Sequence, residues 1–194
     1  MGQAVARANR TRYPVLGALT IRPMSGYDIK KFIEGSIANF WRESFGQLYP
    51  TLRELTEEGL VYRRRDEQAE KRDRYVYRIT SEGREVLREW LNEPAESEVP
   101  RSELLLKLFF GREVSVETSL RHVAERRDEL EANLALLSAI EQELETTKRT
   151  APGLPYWLLT IRQGMLVDQA LLEWCEEAEA VLRKQRRTVA QASR

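Results

Sequence analysis

The spacing of apolar and polar positions changes repeatedly along the chain, and each change marks an element. Residues 13–21 (YPVLGALTI) are apolar at helical spacing and are followed by Pro23, which predicts a short helix from about Tyr13 to Ile21. Ser25 then stands where an N-cap belongs, with Asp28 three positions on to complete a capping box. In the helix that it opens, Ile29, Phe32, Ile33 and Ile37 share one face and leave Lys30 and Lys31 outside. A third helix is expected over residues 44–58, followed by strands at 60–65 (LVYRRR) and 74–79 (RYVYRI) joined by the polar loop DEQAEKRD. In the second strand Tyr75, Tyr77 and Ile79 alternate with Val76 and Arg78, the period of a half-buried strand. Thr80 caps a fourth helix that runs to about Leu91.

The pattern breaks at NEPAESEVP, residues 92–100, which carries two prolines and no helical period. This sets a first domain at 1–92, a linker at 93–100 and a second domain at 101–194. Beyond the linker, LLLKLFF (104–110) is nearly all apolar and is expected to be buried. A long helix then runs from about Ser115 to Lys148, roughly 50 Å at 1.5 Å per residue. Along it Val116, Leu120, Val123, Leu130, Leu134, Leu137 and Leu144 recur in alternating steps of a heptad seam that only Arg127 and Glu141 interrupt. A Pro-Gly-Leu-Pro turn (152–155) reverses the chain into a second long helix from about Tyr156 to Arg186, whose Met165 and Leu172 are assigned to the same seam. Two such helices cannot bury both seams alone, so a second copy of the chain is expected to complete them as a homodimer.

The pattern therefore predicts a mainly α protein with a small β-hairpin. Its first domain, with three helices, a two-stranded hairpin and a closing helix, is a winged helix-turn-helix, and its second is a pair of long antiparallel helices serving dimerisation.

Residues 44–58 (SFGQLYPTLRELTEE) repay a helical projection. Leu48, Leu52 and Leu55 fall within about 60° of one another at 100° per residue and form the core face. Gly46, Pro50, Arg53 and Glu57 lie opposite, with Gln47 and Tyr49 on the flanks. Ser44 is the expected N-cap, and Gln47 either completes its capping box or reads a base. The donors Ser44, Gln47, Tyr49, Thr51 and Arg53 cluster at the start, and Glu54, Glu57 and Glu58 at the end. That polarity suits a helix that enters a major groove by its N-terminus. Positive charge for phosphates comes from Lys30 and Lys31, and from Arg63, Arg64, Arg65, Lys71, Arg72 and Arg74 on and beside the hairpin.

Charge adds one asymmetry to a net charge of zero. Residues 1–92 hold 17 Lys and Arg against 13 Asp and Glu, while residues 93–194 hold 14 against 18, so an anionic partner is expected at the first domain. His122 and Cys175 are the only residues of their kinds, and no metal-ligand spacing, phosphate-cradling glycine loop or nucleophile elbow is present. An enzyme is not expected, and neither is a metal or a cofactor. The lone cysteine fits a reducing cytoplasm, and no apolar run reaches the roughly 20 residues that span a bilayer.

Three separated stretches, YPVLGALTIRPMSGYDI, then GQLYPTLRELTEEGLV, then RYVYRITSEGREVLREWL, resemble the PadR family of phenolic-acid-responsive transcriptional regulators over about residues 13–92. Residues 101–185 resemble the longer helical domain of virulence-activator-type members. The resemblance implies a dimeric repressor of an inverted-repeat operator in double-stranded DNA, released when a small aromatic effector binds near the dimer core. It places DNA contacts at Ser44, Gln47, Tyr49, Pro50 and Arg53, and at Lys71, Arg72 and Arg74 on the wing, whose tip is strongly acidic. Tyr156, Trp157 and Trp174 either line an effector pocket or pack in the dimer core; Asp168 binds a ligand, fixes register or faces water. A winged-helix adaptor that binds a protein partner and no DNA is the alternative.

Overall fold

The computed structural model of the chain describes residues 10–38, 40–41, 45–65, 75–96 and 101–192. Contacts divide the chain into two units, Met1–Ser97 and Glu98–Arg194.

The first unit runs α1 (Arg12–Ile21), β1 (Met24–Ser25), α2 (Gly26–Ser36), a 3-10 turn (Phe45–Gln47), α3 (Leu48–Glu57), β2 (Val61–Arg65), β3 (Tyr75–Ile79) and α4 (Ser81–Asn92). Its core is made by Val15, Leu16 and Leu19 of α1, Ile29 of α2 and Leu48, Leu52 and Leu55 of α3, each at most 3% exposed. The capping box at the start of α2 forms in full: the Ser25 hydroxyl accepts from the Asp28 N–H at 3.2 Å, and the Ser25 N–H donates to the Asp28 carboxylate at 3.2 Å. Thr80 caps α4 by accepting from the Gly83 N–H at 3.0 Å.

The turn out of α3 is a Schellman motif. Gly59 adopts φ +73°, open to glycine at no steric cost, and the Leu60 N–H reaches back to the Leu55 carbonyl at 2.9 Å. Leu60 is thereby buried and β2 leaves in the right direction. Where α4 starts beside this turn, a Cβ on Gly83 would lie 2.1 Å from the Leu60 carbonyl oxygen. Tyr13 and Trp90 stack at 4.2 Å with 8° between planes, which joins the two terminal helices of the unit.

The sheet has three strands where the sequence pattern predicts two. Its order is β1-β3-β2, all antiparallel, with Met24 opposite Tyr77 and Ser25 opposite Val76. A two-residue strand has no period to display, so only its partner reveals it. The third helix also differs: a 3-10 turn precedes it, and the α-helix begins at Leu48.

The second unit consists of α5 (Glu103–Phe109), a 3-10 turn (Gly111–Glu113), α6 (Val116–Thr147) and α7 (Leu154–Ala192). Helices α6 and α7 form an antiparallel hairpin. Val123, Leu130 and Leu137 of α6 are at most 2% exposed, and Cys175 and Ile161 of α7 at most 5%. Leu172 packs on the cluster of Val123, Leu130 and Cys175. The seam expected to hold two copies together is thus used inside one chain: Val123, Leu130 and Leu137 are buried, and Val116, Leu120, Leu134, Leu144, Met165 and Leu172 half-buried. The physical reason is connectivity, because a tight turn brings the chain's own second seam to the first before any partner can reach it.

Two polar links cross this hairpin. The Asn133 amide donates to Asp168 at 2.6 Å, and the buried Glu179 carboxylate is held by Arg127 at 2.7 Å and Arg183 at 2.6 Å. The Arg127 that interrupts the seam is therefore the counterion of a buried acid, as burying a charge requires. Helix α5 corrects a second expectation. Leu105, Leu106, Phe109 and Phe110 are exposed, Phe109 at 81%, and Leu108 packs against the cluster. No helix among the described residues is long and apolar enough to cross a membrane.

Candidate nucleic-acid interface

Helix α3 presents a bare outer face because its leucines commit the inner one. With Leu48, Leu52 and Leu55 at most 2% exposed, Gly46, Gln47, Tyr49, Pro50 and Arg53 are all exposed, Tyr49 at 59%. Pro50 sits in the first turn, where its missing N–H removes little from the hydrogen-bond ladder. Gln47 occupies the N-cap position without a side-chain capping bond, so its amide is left for another partner. Thr51 departs from expectation: it is 5% exposed and belongs to the core face. At 100° per residue it lies about 60° from Leu48, which is close enough for the packed elements to cover it. Ser44 lies outside the described residues, as do Lys71, Arg72 and Arg74 of the wing loop.

Tyr49 is positioned from below by α2. A Cβ on Gly26 would lie 2.8 Å from Tyr49 Cε1, so the glycine lets the tyrosine ring rest directly on the first turn of the preceding helix. Beside it, Tyr27 is 59% exposed, and the Lys31 ammonium stands 5.3 Å above its ring. Lys30 is engaged with Glu34 at 3.6 Å, so the two lysines differ in how freely they can meet a phosphate. Tyr27 was not singled out by sequence reasoning. Its signal was its spacing from Lys31, one helical turn on the same outer face.

The wing brings the arginines together by register. Arg63 pairs across with Tyr77 and Arg65 with Tyr75 on one face, while Arg64 pairs with Val76 and Tyr62 with Arg78 on the other. The Arg63 guanidinium lies 4.8 Å from the Tyr75 ring, and Arg64 lies 5.7 Å from that of Tyr62. Between α3 and the wing root is a cleft of about 440 Å³, lined by Tyr49, Arg53, Thr56, Glu57, Arg63 and Tyr77. Neither Arg53 nor Arg63 has an ion pair among the described residues, so both are available to an anion lying along the cleft. Arg63 was expected among the phosphate contacts of the wing; its meeting with Arg53 at one cleft follows from the hairpin register that sets it opposite Tyr77.

The four effector candidates do not converge. They lie on one continuous helix, with Tyr156 and Trp174 separated by about 27 Å at 1.5 Å per residue. Tyr156 is 72% exposed, and Trp157 packs over Gly153. Asp168 is occupied by Asn133, while Trp174 packs against the Val123–Leu130–Cys175 cluster.

Comparison with known proteins connects this geometry to a family. Residues 15–89 match the model of the transcriptional regulator PadR-like family, and residues 100–183 match that of the virulence activator alpha C-terminal region. The negative transcriptional regulator PadR of Bacillus subtilis is 26% identical over 179 residues, covering 89% of this chain and 97% of that one. Its structure in complex with operator DNA superimposes with a TM-score of 0.76 at 25% identity, covering 89% of this chain and 98% of that one. The Vibrio cholerae virulence activator AphA is 30% identical, with a TM-score of 0.70 over 90% of this chain and 98% of that one. These relatives are transcriptional regulators and not enzymes. With both of its units matched in order, each over most of its length, the chain belongs to the PadR-like family of transcriptional regulators.

Proposed function

We propose that the protein represses transcription as a homodimer, each copy laying α3 into the major groove of one half of an inverted-repeat operator. The observation that carries this reading is the continuous outer line of Gly46, Gln47, Tyr49, Pro50 and Arg53, exposed opposite a fully buried leucine face. Gly46 and Pro50 keep the line slim enough for close approach, while Gln47 and Arg53 offer donors to base edges. Tyr27, Tyr49, Lys31 and the wing arginines take the phosphates. In this reading residues 1–92 bind DNA and residues 101–194 serve dimerisation and effector response, and the protein works in the cytoplasm. The release signal is a small aromatic molecule; Bacillus subtilis PadR has been crystallised with p-coumaric acid.

The test is fluorescence anisotropy on fragments selected from the genome, repeated across salt concentrations. A protein contacting six to ten phosphates loses about 10³ to 10⁵ in affinity between 50 and 200 mM salt. Equal, weak binding to every duplex at low salt, unchanged by Arg53→Ala, would sink the proposal and favour the protein-binding adaptor.

A further inference from the structure

Gly26 is the first residue of α2 and is buried. Its backbone does not call for glycine, since Gly59 is the one glycine with positive φ among the described residues. The space around it does. A Cβ at this position would lie 2.8 Å from Cε1 of Tyr49, 3.4 Å from its Cζ and 3.4 Å from its hydroxyl oxygen, and these are its three nearest neighbours. The bare Cα is a shelf for a single ring.

The two sides of this contact differ in how readily they yield. Just before Gly26, Met24 and Ser25 are paired with Tyr77 and Val76 of β3, and the Ser25–Asp28 capping box closes the helix start. Tyr49 is 59% exposed, makes no hydrogen bond among the described residues and borders the open cleft beside Arg53. An added methyl group therefore moves the ring and not the shelf. Cε1 has to retreat from 2.8 Å to the roughly 3.5–4.0 Å of ordinary carbon contact, and the rotation carries the hydroxyl with it. A hydroxyl bonds an oxygen only between about 2.5 and 3.0 Å, so a displacement of this size breaks such a bond.

We infer that Gly26 is a positioning residue for DNA binding: its missing side chain sets the direction in which Tyr49 offers its hydroxyl to a phosphate. This rests on the DNA-binding reading above and names what aims one of its contacts. A ring seated before the duplex arrives has little rotamer freedom left to lose, so the shelf raises affinity by preorganisation. The phenol is neutral and releases no counterion when it meets a phosphate. The contact therefore adds affinity for every sequence and leaves the salt slope unchanged, unlike a contact from Lys31.

The experiment compares the full-length wild type with Gly26→Ala, Tyr49→Ala and the double variant on the selected duplexes, by fluorescence anisotropy across salt concentrations, with urea unfolding alongside. Gly17→Ala, whose Cβ meets nothing within 4 Å, is the control for a methyl group added to a helix. Gly26→Ala is expected to weaken binding to every duplex by about tenfold, the worth of one hydrogen bond to a charged group. The salt slope and the resistance to urea stay as in the wild type. Added to Tyr49→Ala, the same substitution is expected to change affinity by less than about twofold, because the ring through which it acts is gone. Unchanged affinity in Gly26→Ala overturns the inference, and so does an equal loss with and without Tyr49, which shows glycine acting by another route. A loss accompanied by a lower salt slope traces to a displaced lysine or arginine and overturns it too. All three leave DNA binding standing. A wild-type chain that binds no duplex overturns that reading and the inference with it.

Discussion

Gly83 and Gly17 look alike in sequence and are opposites in space. At Gly83 a methyl group would meet the Leu60 carbonyl oxygen at 2.1 Å, and that carbonyl already accepts from the Thr80 N–H at 3.1 Å and the Thr80 hydroxyl at 3.0 Å, so it cannot retreat. At Gly17, in the middle of α1, nothing lies within 4 Å. Urea unfolding should therefore show Gly83→Ala losing about 1–3 kcal/mol, and Gly17→Ala gaining about 0.5–1 kcal/mol. Cys175 carries a second residue-scale prediction. Burial pushes its thiol above the ordinary value, so the folded state holds the proton more tightly than the unfolded chain does. Stability from this group is complete below the ordinary thiol pKa of about 8.5 and declines as pH rises past it. Wild type and Cys175→Ala, unfolded in parallel from pH 7 to 10, should differ in slope, with the steeper fall in the wild type.

At the scale of the element, α3 and its neighbours divide the work of recognition. Arg53→Ala should reduce discrimination at one operator base pair by about 1–3 kcal/mol. Lys31→Ala should weaken all duplexes alike and lower the salt slope by about one. A binding titration against operator variants separates the two patterns, and a uniform loss for Arg53→Ala would make it another phosphate contact. The helices were legible in the sequence wherever the cause was local. Ser25 with Asp28, Thr80 before Gly83, and the leucine spacing of α3 each act within one or two turns of their own element. Strand β1, the burial of Thr51 and the meeting of Arg53 with Arg63 at one cleft were not legible, because each depends on an element distant in the chain. The heptad seam shows the same limit. Its residues were readable, but whether they face a partner or the chain's own α7 depends on a turn that spacing alone does not weigh. The run LLLKLFF misled for a related reason: apolar content calls for cover, and the cover need not come from the same copy.

For the whole molecule, two units joined in one chain make DNA spacing a measurable quantity. If two copies bind two half-sites on one face of the duplex, the half-sites lie about one helical turn of 10–10.5 base pairs apart or a multiple of it. Inserting five base pairs between them should drop affinity to that of a single half-site, and gel shifts on spacer variants would show it. Affinity indifferent to the insertion would mean that each copy binds alone.

The crossing links of the hairpin, Asn133 with Asp168 and Arg127 with Glu179, bear on how the long helices find each other. A heptad seam is nearly indifferent to sliding, since after a slip of seven residues leucines still meet leucines. The same slip would part Glu179 from Arg127 and Asp168 from Asn133, leaving Glu179 to Arg183 on its own helix and Asp168 without its amide donor. The aligned hairpin is thereby favoured over its slipped register, so the two acids help select one alignment of the long helices.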